Sequence, residues 1–167
     1  MSDKYFQYET KLKCTLSNPQ ASKCRWEFKR ITAKNEILNS SLIQFAYSGL
    51  YMELPGSSMN EGVEIRQFPL SGRCNQRWKL VKSEEGDGYL IVSTRSKMCL
   101  SVKHGKAKDR AHVVQEKQNQ SLAQKWRLIH QGLSLYIIGS MLKSKLYLGT
   151  ENNSMNSGAE VVLTNKE

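Results

Sequence analysis

An all-β fold is predicted for this chain of 167 residues, built as three four-stranded units that share one core. Three observations predict it. A tryptophan-centred segment recurs along the chain, the same series of short apolar runs follows each copy, and no stretch keeps helical periodicity beyond a turn or two. The recurring segment is Cys74-Asn75-Gln76-Arg77-Trp78-Lys79-Leu80 and again Ala123-Gln124-Lys125-Trp126-Arg127-Leu128, with a weaker copy at Lys23-Cys24-Arg25-Trp26-Glu27-Phe28. All three tryptophans of the chain lie in these copies, spaced by 52 and 48 residues.

Each element follows from its residues. The Trp strands alternate apolar and polar side chains, as half-buried strands do. A second strand follows each: near Leu42–Phe45, then Tyr89–Val92 after the turn Ser83–Gly88, then Leu135–Ile138 after His130-Gln131-Gly132. Third strands are expected at Tyr51–Leu54, Cys99–Val102 and Lys145–Leu148, and fourth strands at Gly62–Ile65, Ala111–Val114 and Gly158–Val161. Lys11–Leu16 reads as one further strand, and Asn35–Phe45 as loop and strand because of its Ser, Asn and β-branched content. Pro19, Pro55 and Pro69 fall outside the central strand stretches, where a missing N–H is tolerated. Three units of this size cannot each bury a core alone, so they must close together as a three-fold barrel.

Composition sets the boundaries of function. Hydrophobic residues at 39% and charged residues at 24% suit a single folded domain, not a disordered chain. No apolar run approaches the roughly 18–20 residues of a membrane helix. Met1-Ser2-Asp3-Lys4-Tyr5 opens no apolar h-region, so a protein that is cytoplasmic or released by an unconventional route is expected. The net charge of +10 favours polyanions or anionic surfaces. Cys14, Cys24, Cys74 and Cys99 form no C-x-x-C and no zinc-finger spacing, so a structural zinc site is not expected and free thiols are. No nucleophile elbow, phosphate-binding glycine loop or H-E-x-x-H occurs, His104, His112 and His130 are isolated in sequence, and Glu84-Glu85 falls in a turn; neither an enzyme nor a cofactor is expected.

The two full Gln-x-Trp copies, Gln76-Arg77-Trp78 and Gln124-Lys125-Trp126, resemble the ricin B-type (R-type) lectin family, whose fold is the β-trefoil. The resemblance covers about residues 24–167 and implies a β-trefoil with pseudo-three-fold symmetry that binds carbohydrate, free or as the cell-surface-binding part of a toxin or haemagglutinin. It also implies that the motif's Trp and Gln serve the fold. One irregularity stands out: the third unit runs out at Glu167 before a closing Gln-x-Trp strand, while the orphan copy at Trp26 precedes the first complete unit. Residues 1–167 are therefore read as one domain whose N-terminal strand near 24–28 closes the barrel beside the C-terminal strand around Glu160–Thr164. Strand exchange between two chains is the alternative, and a homodimer or larger assembly would follow from it.

The family's sugar pocket joins an aspartate of the third strand to an aromatic of the fourth. A carboxylate accepts charge-assisted hydrogen bonds from sugar hydroxyls, an aromatic face covers the ring's C–H patch, and an amide fixes orientation. In the first full unit the resemblance places Glu53 at the aspartate position, Arg66 at a Gln position, Phe68 at the aromatic position, and Asn75 with Gln76 alongside. Arg66 would bring positive charge to the pocket or pair with Glu53. The second unit offers Ser101 and Lys117 and the third Tyr147 and Thr164, so both are expected to be inactive. A glycan or glycoprotein is the expected partner. The competing reading is a non-catalytic trefoil that binds protein, sulfated glycan or nucleic acid through Lys103, Lys106, Lys108 and Arg110, a polyanion patch on one loop.

Overall fold

A computed structural model describes residues 25–33 and 36–165. The Lys11–Leu16 strand and any pairing of Cys14 or Cys24 lie outside the described residues. The twelve described strands are β1 (Arg25–Ala33), β2 (Glu36–Phe45), β3 (Tyr51–Glu53), β4 (Arg66–Phe68), β5 (Trp78–Lys82), β6 (Tyr89–Ser93), β7 (Cys99–Val102), β8 (Val113–Glu116), β9 (Trp126–His130), β10 (Leu135–Ser140), β11 (Tyr147–Thr150) and β12 (Val161–Thr164). Among the described residues every helix is a single 3-10 turn, and none is long and apolar enough to cross a membrane.

Six strands close a barrel. The hairpins β1–β2, β5–β6 and β9–β10 are joined to one another by β2–β5, β6–β9 and β10–β1, all antiparallel. The other six form three cap hairpins, β3–β4, β7–β8 and β11–β12. This is the β-trefoil. Closure leaves the barrel without an edge open to further pairing.

The three tryptophans explain why the units assemble. Trp26, Trp78 and Trp126 have no exposed surface, and each indole N–H must find an acceptor inside. Trp78 donates to the Met52 carbonyl, Trp126 to that of Leu100 and Trp26 to that of Leu148, each at 3.1 Å. The three acceptors hold one position in β3, β7 and β11. Around them Phe45, Met52, Leu54, Ile65, Ile91, Leu100, Val113, Ile138, Leu148 and Leu163 fill one continuous core. The motif glutamines repeat a second pattern: Gln76 accepts from the Ser71 N–H and donates to the Pro69 carbonyl, and Gln124 does the same with Asn119 and Lys117.

Two expectations are corrected. Strand β1 does not run beside Glu160–Thr164; its neighbours are β10 and β2, with Trp26 opposite Tyr136 and Phe45. The reason is that β12 belongs to a cap hairpin with β11, so the third unit reaches β1 through its second strand and through the Trp26 indole. The fourth strands also begin later than the apolar pattern suggests, at Arg66, Val113 and Val161. The residues just before them bridge to a neighbouring unit instead, as Glu64↔Val114 and Arg66↔Glu160 show.

Candidate functional site

In the first unit, β3 and β4 pair as Tyr51↔Phe68, Met52↔Gln67 and Glu53↔Arg66. Side chains alternate across a strand. Met52 and Gln67 are fully buried on the core side, so Tyr51, Glu53, Arg66 and Phe68 share the outer face. Gln67 earns its inward place by donating to the Ser154 and Asn156 carbonyls, which ties the third unit's loop to this hairpin. Tyr51 joins this face unforeseen. The signal for it was the same alternation, counted back two residues from Glu53.

The 3-10 turn Cys74–Gln76 docks at the open end of the hairpin. The Leu54 N–H donates to the Asn75 carbonyl and the Asn75 amide donates to the Leu54 carbonyl at 3.1 Å. Gln76 Nε2 donates to Glu53 Oε2 at 2.7 Å as well as to Pro69. Burial pushes the Glu53 carboxyl above the usual carboxylate range, opposed by the Gln76 and Asn75 amides and by nearby Arg73. Asn75 is buried and its Oδ1 has no hydrogen-bond partner. Phe68 is half-buried, and one ring edge lies beside Gly158 of the third unit.

Arg66 departs from the expected pocket. It stands opposite Glu53 in register, but its guanidinium turns away to the Gly158 carbonyl and to Glu160 Oε1, the latter at 3.2 Å. The structure thus brings Glu53, Asn75 and Gln76 into direct contact, places Phe68 on the same face, and removes Arg66.

The other two hairpins differ. In the second unit Glu116, not Lys117, stands in the register of Phe68, because Gln115 turns inward and holds the Ser58 and Asn60 carbonyls. Ser101 Oγ donates to Glu116 Oε2 at 2.7 Å, while Lys117 is exposed at one rim of an open groove of about 410 Å³ with Glu61 and Asn119. In the third unit Tyr147 faces Thr164, and Gly149 occupies the carboxylate position opposite Val162. Beside it lies a depression of about 170 Å³ lined by Asp109, Arg110, Asn152 and Asn153.

The basic loop is only partly free. Lys103 Nζ lies 2.9 Å from Glu64 Oε1, whereas Lys106, Lys108 and Arg110 are exposed. Glu85 is not simply solvated in its turn, since it accepts from the ammonium of buried Lys125. Cys74 is an exposed free thiol, and Cys99 is a buried one pushed up to about 11 by its burial, too high for a nucleophile.

The chain is matched over residues 22–116 and 74–164 by the ricin-type β-trefoil lectin domain-like family. A trefoil with Gln-x-Trp registers on a closed six-stranded barrel, matched over most of its length, belongs to that family. Among solved structures it is similar to the designed three-fold symmetric protein ThreeFoil, with 30% identity and a TM-score of 0.71 over 76% of this chain and 89% of that one. It is also similar in fold to a ricin B-like lectin of Macrolepiota procera in complex with lactose, with 15% identity and a TM-score of 0.60 over 87% and 88% of the two chains. An exo-beta-1,3-galactanase of Clostridium thermocellum shares the fold, with 23% identity and a TM-score of 0.68, over 87% of this chain but 28% of that enzyme. Among curated proteins none matches.

Proposed function

We propose that this chain is a carbohydrate-binding lectin that takes a glycan at the outer face of the β3–β4 hairpin. The observation that carries the reading is the Glu53 carboxylate, oriented by Gln76 Nε2 at 2.7 Å, on the face that also bears Phe68. A carboxylate held in place before the ligand arrives accepts hydroxyl hydrogen bonds without ordering cost, and Phe68 offers an apolar surface next to it. The Macrolepiota lectin, in complex with lactose, lends the class of ligand. The role is binding, not catalysis. One competent hairpin per chain makes single-site affinity weak, so agglutination, or service as the cell-surface-binding part of a toxin or haemagglutinin, would require an assembly.

A second reading rests on the exposed cations Lys106, Lys108 and Arg110, which would attract a polyanion such as a sulfated glycan. A glycan array at low and at physiological salt separates the two. Defined saccharide hits that persist in salt are expected from the hairpin site. Broad acidic hits that vanish with salt would instead assign binding to the loop, because counterion release makes such binding salt-dependent.

The raised Glu53 carboxyl gives a pH test. It keeps its proton to a higher pH than an exposed glutamate does, and the protonated form loses charge-assisted acceptance. Affinity is therefore expected to fall on acidification before an exposed carboxylate would titrate, as calorimetry from about pH 7 to pH 4 would record. Stability runs the other way. A carboxyl raised in the folded state favours folding below its unfolded value, and that advantage is lost as pH rises through the folded one. Glu53→Gln is expected to remove both dependences.

A further inference from the structure

We propose that Glu64, His112 and Glu160 form a binding site for a divalent transition-metal ion on the pseudo-three-fold axis. The three residues are spaced by 48 positions each, so the repeat places them at one equivalent point of the three units. They immediately precede Ile65, Val113 and Val161, which are buried in the core, so their own side chains turn outward around the axis. One ligand atom from each lies within 4.8 Å of the others. Convergence of symmetry-related residues onto one point requires them to sit at the axis itself. The site is separate from the β3–β4 pocket, and the proposal does not rest on the glycan reading.

The geometry at His112 points to a cation. Its Nδ1 lies 3.0 Å from Glu160 Oε2 and 3.5 Å from Glu64 Oε1. The atom is shielded from water, yet it makes no hydrogen bond of acceptable direction. A lone pair on Nδ1 facing two carboxylates is repelled, and an in-plane N–H misses both. A metal ion between the three groups satisfies all of them at once. Bonds of about 2.0–2.2 Å to nitrogen and oxygen put ligand atoms roughly 3–4 Å apart, which the two His112 separations match. One imidazole and two carboxylates suit Zn²⁺, Co²⁺ or Ni²⁺ better than Mg²⁺ or Ca²⁺, and three protein ligands leave a position for water.

Two cations bear on the site. Arg66 holds the far oxygen of Glu160, Oε1, and orients that carboxylate as an outer partner does. Lys103 lies on Glu64 Oε1, the same oxygen that approaches His112, and so competes with the metal. Removing the Lys103 ammonium is expected to strengthen metal binding, an effect that a purely structural ion-pair cluster would not produce.

The test uses the full chain freed of any polyhistidine tag. Co²⁺ titration is expected to give a visible absorption band that saturates at one equivalent and is displaced by Zn²⁺. His112→Ala and Glu160→Gln are expected to weaken binding by about tenfold or more, with unchanged circular dichroism, and Lys103→Met to tighten it several-fold. Should His112→Ala unfold, Glu64→Gln and the Lys103→Met gain give the same reading. No Co²⁺ band and no Zn²⁺ heat in the wild-type chain would overturn the proposal. So would one-equivalent binding that His112→Ala and Glu160→Gln leave intact, which would assign the metal to other groups such as the Cys74 thiol.

Discussion

Replacing Trp78 or Trp126 by alanine is expected to cost about 3–5 kcal/mol, as large core truncations do. Each change removes a fully buried indole and strands the carbonyl it bonds, Met52 or Leu100, inside the barrel. Against a total stability of roughly 5–15 kcal/mol, either variant is expected to lose most of its cooperative transition in urea. Trp26→Ala belongs to the same set, since its indole bonds Leu148 in the matching position and its ring stacks on Phe45 at 4.8 Å. Near-wild-type midpoints for all three would mean that the registers do not hold the units together.

Deleting residues 1–28 is expected to prevent folding altogether. The deletion takes Trp26 and the part of β1 that pairs with both β10 and Phe45 of β2. The six-stranded ring then opens, two edges are exposed, and the third unit loses the indole that caps Leu148. N-terminal segments are usually dispensable, which makes the expectation a specific one. A truncated chain with dispersed NMR signals and a sharp thermal transition would show that the barrel closes without β1.

Much of this architecture was legible because a period of about 48 residues repeats both the tryptophans and the apolar strands that follow them. Apolar alternation reports which residues are buried, not which strand they pair with. Val63 and Ile65 therefore read as the start of a fourth strand, although their backbones bond Gln115 and Val113 of the next unit. The same limit explains Lys117. A slip of one residue turns a strand's faces over, and only the inward Gln115, bonded to the Asn60 carbonyl, fixes Glu116 as the outer residue. At the candidate site, the family resemblance set Glu53, Asn75 and Gln76 in one unit, and the Gln76–Glu53 hydrogen bond joins two of them. The turn of Arg66 toward Glu160 could not be read, because it depends on a residue 94 positions away. The axis cluster was present in the spacing of Glu64, His112 and Glu160, but spacing alone does not show that equivalent positions converge.

The glycan site on the β3–β4 hairpin is tested most directly by titrating one saccharide, the strongest salt-resistant hit on the array, into four proteins. These are the wild type, Glu53→Ala, Phe68→Ala and Lys106→Ala. Gln76 keeps its bonds to Ser71 and Pro69 when Glu53 is shortened, so the turn beside the pocket stays built. Glu53→Ala should remove charge-assisted hydrogen bonds of about 1.5–3 kcal/mol, roughly tenfold or more in affinity. Phe68→Ala should weaken binding with the fold intact, and Lys106→Ala should leave a neutral glycan unaffected. Wild-type affinity in Glu53→Ala and Phe68→Ala, together with loss of binding in Lys106→Ala, would contradict the hairpin site and make the basic loop the binding surface.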